Sequence, residues 1–313
     1  MQKGFASVFL IGIIVIVIAV GAGSYVVIKN RTEDPSVKID LGSNAENKTD
    51  ESAPVTEVES APDTSNKKEQ TKTAPITQNN TGAKQESTQT VYWQLTESGW
   101  RPSGSPPQCP TPFSIVPPAD VSLATSVLYP GQYRGGNLYE PGGGFRFDNS
   151  SNDAITIRVP VDSMVVGGAR FLIEGEMQYV FDLIAPCGVM FRYDHLFTLT
   201  PEFQKIADRF SAAKENDTRT TFLNPQVPVS SGEAMATAVG LRKNSNVFIS
   251  WGVFDLRQKN KISQENPSWA AAHPDLEHYA ACPYDFLSSD IQTIVYALPA
   301  ADGVAGRISD FCN

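Results

Sequence analysis

The sequence predicts a mostly β domain with one or two helices in its connections, and three observations carry that prediction. Residues 155–166 alternate: Ile155, Ile157, Val159 and Val161 recur at period two, with Thr156, Arg158 and Asp162 between them. This is the pattern of a strand with one buried face. Two later runs, Tyr179-Val180-Phe181-Asp182-Leu183-Ile184 and Phe191-Arg192-Tyr193-Asp194-His195-Leu196, are rich in aromatic and β-branched residues, as neighbouring strands of an antiparallel sheet tend to be. Ahead of them stands Gly142-Gly143-Gly144. Three consecutive glycines let a backbone take positive φ or pass close to something a side chain would block.

The 313 residues are unevenly composed. Apolar residues crowd the first 30 positions, almost vanish until about residue 90, and then return at globular density. The expected organisation is a short N-terminal segment (1–4), a transmembrane anchor (5–28), a disordered polar linker (29–90) and a globular β domain (91–313). The net charge of −9 and the lack of a basic stripe able to release phosphate counterions argue against a nucleic-acid partner.

Phe5 to Ile28 carries no charge and is flanked by Lys3, Lys29 and Arg31. At 1.5 Å per residue it spans roughly 36 Å, enough for a hydrocarbon core of ~30 Å with some tilt. Val20-Gly21-Ala22 looks like a signal-peptide cleavage site, but the apolar run exceeds an ordinary signal-peptide core, which favours an uncleaved anchor. Lys3-Gly4-Phe5 is similar to the processing site of type IV prepilins, although Phe9 stands where those carry a glutamate. The linker, full of Thr, Ser, Asn, Gln, Glu and Lys, has too little apolar surface to offset ordering entropy. The resulting expectation is a single-pass cell-membrane protein with its globular domain extracytoplasmic.

Tyr92-Trp93, Trp100 and the prolines at 102, 106, 107 and 110 open the globular part. Short apolar runs follow, among them Phe171-Leu172-Ile173 and Val247-Phe248-Ile249. Pro201 to Ala213 reads as a helix, with Thr200 as N-cap, Pro201 in the first position and Phe203, Ile206, Ala207 and Phe210 on one face. Thr293 to Leu298 reads as a last strand. Cys109, Cys187, Cys282 and Cys312 form no zinc-finger spacing. Their even number suggests two disulfides with three possible connectivities, or else buried free thiols. Because Cys109 and Cys312 bracket the domain, that pairing is favoured as a terminal clasp, leaving Cys187 with Cys282.

Five segments, in order, resemble lysostaphin-type zinc endopeptidases, the murein peptidases of the duplicated hybrid motif. Gly142-Gly143-Gly144-Phe145-Arg146-Phe147 is similar to their H-G-G-F-D-F, and residues 157–165 to V-Y-A-P-x-D-G-x-V. Tyr193-Asp194-His195-Leu196 matches Y-x-H-L, residues 227–239 resemble V-x-x-G-x-x-I-G-T, and Trp251 to Arg257 resembles H-L-H-F-E-L-R. The resemblance covers about residues 133–260. It implies an antiparallel β-sheet or sandwich with a groove. It also places the three zinc ligands at Gly142, Arg146 and Val253, and one catalytic histidine at Trp251, so that only His195 survives. No metal and no cofactor are expected in such a site, and the expected reading is a pseudo-peptidase rather than an enzyme. The groove would be lined by Gly142, Arg146, His195, Trp251 and Val253, with Trp251 stacking on sugars and Arg146 pairing with carboxylates. Two bland readings stand beside it: His195 bonded to backbone or to Asp194, and Trp251 filling the space a metal left.

Two functions follow as expectations. The first is a membrane-anchored protein, held through residues 5–28, that binds peptidoglycan or regulates a cell-wall hydrolase. The second is a metal-dependent hydrolase with a divergent site around His195, His273 and His278, assisted by Asp275 and Glu277. The spacing of five between His273 and His278 does not put them on one helix face.

Overall fold

In the computed structural model of the chain, residues 90–134, 138–301 and 306–312 are described. The first hairpin joins β1 (Trp93–Thr96) to β2 (Gly99–Pro102). The strands β3 (Ser126–Leu128), β4 (Gln132–Arg134), β5 (Leu138–Glu140) and β6 (Gly143–Arg146) follow. Next come β7 (Ile157–Arg158), β8 (Ser163–Ile173), β9 (Glu176–Ile184) and β10 (Val189–Leu199). Beyond helix α1 (Pro201–Ala207) lie β11 (Thr221–Val229), β12 (Ala234–Val239) and β13 (Phe248–Asp255). The chain closes with α2 (Lys261–Glu265), α3 (Pro267–Ala272), β14 (Ala280–Ala281) and α4 (Ser289–Ala297).

The main sheet is open and runs in the order β11-β8-β9-β10-β13-β6-β3, with β12 and β14 paired off this path. Every pairing between its strands is antiparallel. The mostly β expectation therefore holds for the described residues. Its N-terminal part is corrected: no helix among them is long and apolar enough to cross a membrane. The longest, α4, has nine residues, about 14 Å of helix against a hydrocarbon core of ~30 Å. The anchor expected at 5–28 and the linker up to residue 89 lie outside the described residues. The single-pass topology, the extracytoplasmic placement and the membrane partner resting on that anchor are not carried forward.

One face of the sheet builds the main core. Phe145, Phe181, Phe191, Tyr193, Ile249 and Trp251 all point into it, each with no exposed surface. Helix α1 closes one side: Phe203 and Phe210 set their rings edge-on to Phe181, with centroids 5.3 Å apart in both pairs. The sequence helix expected to reach Ala213 stops at Ala207, yet Phe210 is still buried, held by a turn in which its amide donates to the Ala207 carbonyl. The expected alternation at 155–161 also survives in burial, since Ile155, Ile157 and Val159 are all sealed. The strand itself is broken around Pro160, which has no amide hydrogen to give a ladder.

Two further expectations are corrected. The segment 293–298, expected as a strand, lies largely in α4, where Ile291, Val295 and Leu298 repeat at helical spacing against the core. The disulfides join Cys109 to Cys187 and Cys282 to Cys312, not Cys109 to Cys312 and Cys187 to Cys282. Cys187 sits in the turn between β9 and β10, so the first bridge ties the proline-rich entry to the central sheet. The C-terminal tail is fastened instead to the segment beside β14.

Candidate functional site

The second face of the same strands is different. Successive side chains of a strand point to opposite faces, so register fixes which residues line it. Across β9, β10 and β13 the pairs Asp182–Arg192 and Arg192–Gly252 form one row. The next row pairs Asp194 with Ser250 and Ser250 with Gly144 on β6. At Gly144 a Cβ would run into the Ile249 carbonyl oxygen, so glycine in β6 allows the close approach of two strands. Its amide donates to the buried Tyr284 hydroxyl at 2.9 Å, and that hydroxyl donates to the Leu128 carbonyl at 2.6 Å.

Three hollows lie on this face and share lining residues. The largest, about 620 Å³, is walled by the β1–β2 turn, by Asp275, Leu276, His278 and Tyr279, and by Asp182, Met190 and Arg192. A second, about 270 Å³, shares Arg192 and Leu276 with it and adds Asp194, Ser250, Gly252, Glu140 and Glu277. The third, about 420 Å³, shares Glu140 and Ser250 with the second and reaches Arg146 and His195. Together they follow the sheet from β9 to β6. Three strand spacings of about 4.8 Å make that path roughly 14 Å.

His195 owes its place to a bulge. Strand β10 pairs with β13 as far as Asp194 and with β12 from Leu196 onward. Between them the register against β9 slips, and His195 takes a left-handed φ of 62°. The Asp194 carboxylate accepts from the His195 backbone amide at 2.6 Å, and the imidazole ring lies 4.5 Å from the Phe248 ring. Its Nδ1 is sealed from solvent and has no hydrogen-bond partner among the described residues.

The charged groups of the hollows fall into two sorts. Some are engaged: Arg146 grips Asp148 through Nε at 3.1 Å and Nη2 at 2.8 Å, holding the Asp148 carboxyl below the usual carboxylate range. Arg134 donates to the Gly142 carbonyl at 2.8 Å. Burial raises the carboxyl of Glu140 above its ordinary range, with nearby Arg134 opposing and Asp194 adding to the rise. Burial likewise raises Glu277, whose carboxylate meets His273 Nδ1 at 2.5 Å. Others are underused. Asp182 is 1 % exposed; its Oδ2 accepts from Thr220 Oγ1 at 3.0 Å, while Oδ1 has no hydrogen bond and lies 3.6 Å from Arg192 Nη1. That ion pair is the one polar contact Arg192 makes among the described residues.

Of the five residues expected to line one groove, Arg146 and His195 share the third hollow and Gly142 lines the second. Trp251 and Val253 are not there. They point into the core, 0 % and 1 % exposed, and the Trp251 ring stacks beside Phe145 at a centroid distance of 6.5 Å. The alternate residues of the same strand, Ser250 and Gly252, face the hollows instead. The divergent metal site is also corrected: no group of three or more His, Cys, Asp or Glu among the described residues is placed to hold a metal ion. His273 is stacked on Trp269 at 4.0 Å and paired with Glu277, and His278 meets the Ala270 carbonyl at 3.0 Å. Both rings are thus committed to packing around the 261–281 segment, while His195 lines a different hollow.

Sequence reasoning missed Asp182, Arg192, Asp194, Ser250 and Glu140. A signal for three of them was present, because Asp182, Arg192 and Asp194 are charges at alternate positions inside otherwise apolar strand runs. A charge inside such a run is costly unless its face is wet or paired.

Compared with protein-family models, with curated proteins and with solved structures, the chain matches none.

Proposed function

We propose that the domain is a non-catalytic binding module that takes an extended peptide in the channel formed by the three hollows. The observation that carries this reading is their adjacency: each shares two lining residues with the next. A path of roughly 14 Å accommodates about four extended residues at 3.3–3.6 Å each. Its lining mixes acids and bases (Asp194 and Glu140 with Arg192 and Arg134), and at Gly252 the Phe254 ring takes the place of a side chain. That mixture suits a chain offering both N–H and C=O groups.

Descent of the scaffold from lysostaphin-type peptidases is part of the proposal. Its support is that three of the five resembling segments lie on hydrogen-bonded neighbours, β6, β13 and β10. The residue types at the family's ligand positions, a glycine, an arginine and a valine, support a binding role over a catalytic one.

The test uses pools of N-acetylated tetrapeptides titrated calorimetrically into the wild type and into Ser250→Trp, whose indole would block the channel where two hollows meet. Binding to the wild type that falls at least 10-fold in Ser250→Trp supports the reading. Equal binding to both proteins, or none to the wild type, contradicts it.

A further inference from the structure

The 620 Å³ hollow has a built floor that the peptide reading does not by itself explain. Arg192 lines both this hollow and the next, with its side chain 28 % exposed and no side-chain hydrogen bond to any described residue. An arginine usually spends its five N–H donors on carboxylates or carbonyls. Here Asp182, sealed beneath it and fixed by Thr220, anchors the guanidinium by charge at 3.6 Å without occupying its donors. The Asp182 Oδ1 is itself buried without a hydrogen bond. Such a pair is half of a recognition site: the arginine is held in position and its fork is free.

The rest of the hollow states what the fork receives. Met190, Leu276, Leu95, Trp100 and Phe222 line it, and Leu95 and Phe222 are each about half exposed, at 51 % and 50 %. Trp100 and Phe222 meet edge to face at 5.9 Å. The remaining acids of the wall, Glu97 and Asp275, are matched in number by Arg101 and Lys259, so the cavity has no net charge that would repel an anion.

We infer that Arg192 is a receptor for a carboxylate borne next to an apolar group: the C-terminal carboxylate of the bound peptide, with its last side chain against Phe222, Trp100 and Leu276. A planar carboxylate takes two parallel bonds from a guanidinium fork, and a lysine in its place keeps charge but not the fork. This rests on the reading of the channel as a peptide groove, and it fixes the direction in which the chain lies: the C-terminal end under the β1–β2 turn, the N-terminal end toward His195 and Arg146.

Three probes are titrated into the wild type and into Arg192→Lys. They are N-acetylated tetrapeptide pools ending in Phe or Leu as free acids, the same pools as C-terminal amides, and N-acetyl-phenylalanine. Arg192→Lys retains a cation over Asp182, so the variant folds, and its denaturant midpoint is recorded beside the wild type's. The expected result is acid pools binding at least 10-fold tighter than amides in the wild type, with the ratio falling below about threefold in Arg192→Lys. Acids and amides binding alike, or a preference that Arg192→Lys leaves intact, overturns the receptor and leaves the groove standing. N-acetyl-phenylalanine binding in an Arg192-dependent way while no tetrapeptide binds overturns the groove and keeps a carboxylate receptor. Binding by none of the three overturns both.

Discussion

Strand β13 carries Trp251 and Val253 on one face and Ser250 and Gly252 on the other, one residue apart in each case. The first pair lies in a dry core with Phe145, Tyr193 and Tyr284 around it. The second pair borders hollows lined by Arg192, Asp194 and Glu140. A register shift of one residue exchanges every side chain between faces. A motif match that is right along the strand but silent about facing can therefore name the wrong half of the residues. The two faces also carry different work: the first holds the main aromatic core, and the second combines a smaller buried cluster around Ile184, Met190 and Phe254 with hollows lined by charged groups.

Substitutions on the aromatic face test that division most severely. Trp251→Ala removes a fully buried indole and is expected to cost about 3–5 kcal/mol, read from the denaturant midpoint. A midpoint unchanged within error would put the ring outside the core. Removing the bridge between the entry segment and the sheet, by Cys109→Ser with Cys187→Ser, is expected to cost about 2–5 kcal/mol. If the alternative pairing held, peptide mapping of the oxidised protein would recover Cys109 with Cys312 instead. Tyr284→Phe leaves the Gly144 amide and the Leu128 carbonyl without their partner and should cost about 1–3 kcal/mol. Loss below that range would mean the hydroxyl is not what fastens β6 to β3.

On the polar face the expected effects on stability are small. Ser250→Ala should change the unfolding free energy by no more than about 0.5 kcal/mol, and a larger loss would argue that Ser250 is packed rather than facing space. Glu140 gives the face a pH signature. Its folded carboxyl is raised by burial, so its contribution to stability is complete below the unfolded pKa of an ordinary glutamate and is lost as pH rises through the raised folded value. Comparing Glu140→Gln with the wild type across that window isolates the residue. The wild type should lose stability relative to the variant as pH rises, and parallel curves would show that the carboxyl is not desolvated.

How much of this was legible in the residues depends on which physical signal each part uses. The β class was legible because 155–161, 179–184 and 191–196 carry period-two or aromatic runs, and the glycine triplet did mark a close approach of strands. Strand order, the bulge at His195 and the facing of β13 were not, since pairing between β10, β13 and β6 joins segments far apart in sequence. The end of α1 and the helix at 289–297 were misplaced because short apolar runs fit either period. Cysteine connectivity was unreadable because spacing alone does not bring thiols together. The resemblance pointed to His195 and Arg146, which line one hollow, but not to Arg192, whose pairing with the buried Asp182 joins two strands, β9 and β10.

Thiol accessibility tests the two-faced strand most directly. The native cysteines are all in disulfides, so Ser250→Cys and Val253→Cys each introduce one free thiol, on opposite faces of β13. Because positions 250 and 253 lie on opposite faces of β13, under native conditions the thiol at 250 should react with a small aromatic disulfide reagent readily, and the thiol at 253 only on the timescale of unfolding. Equal rates, or faster reaction at 253, would contradict the facing of β13 and with it the channel built on Ser250, Gly252 and Arg192.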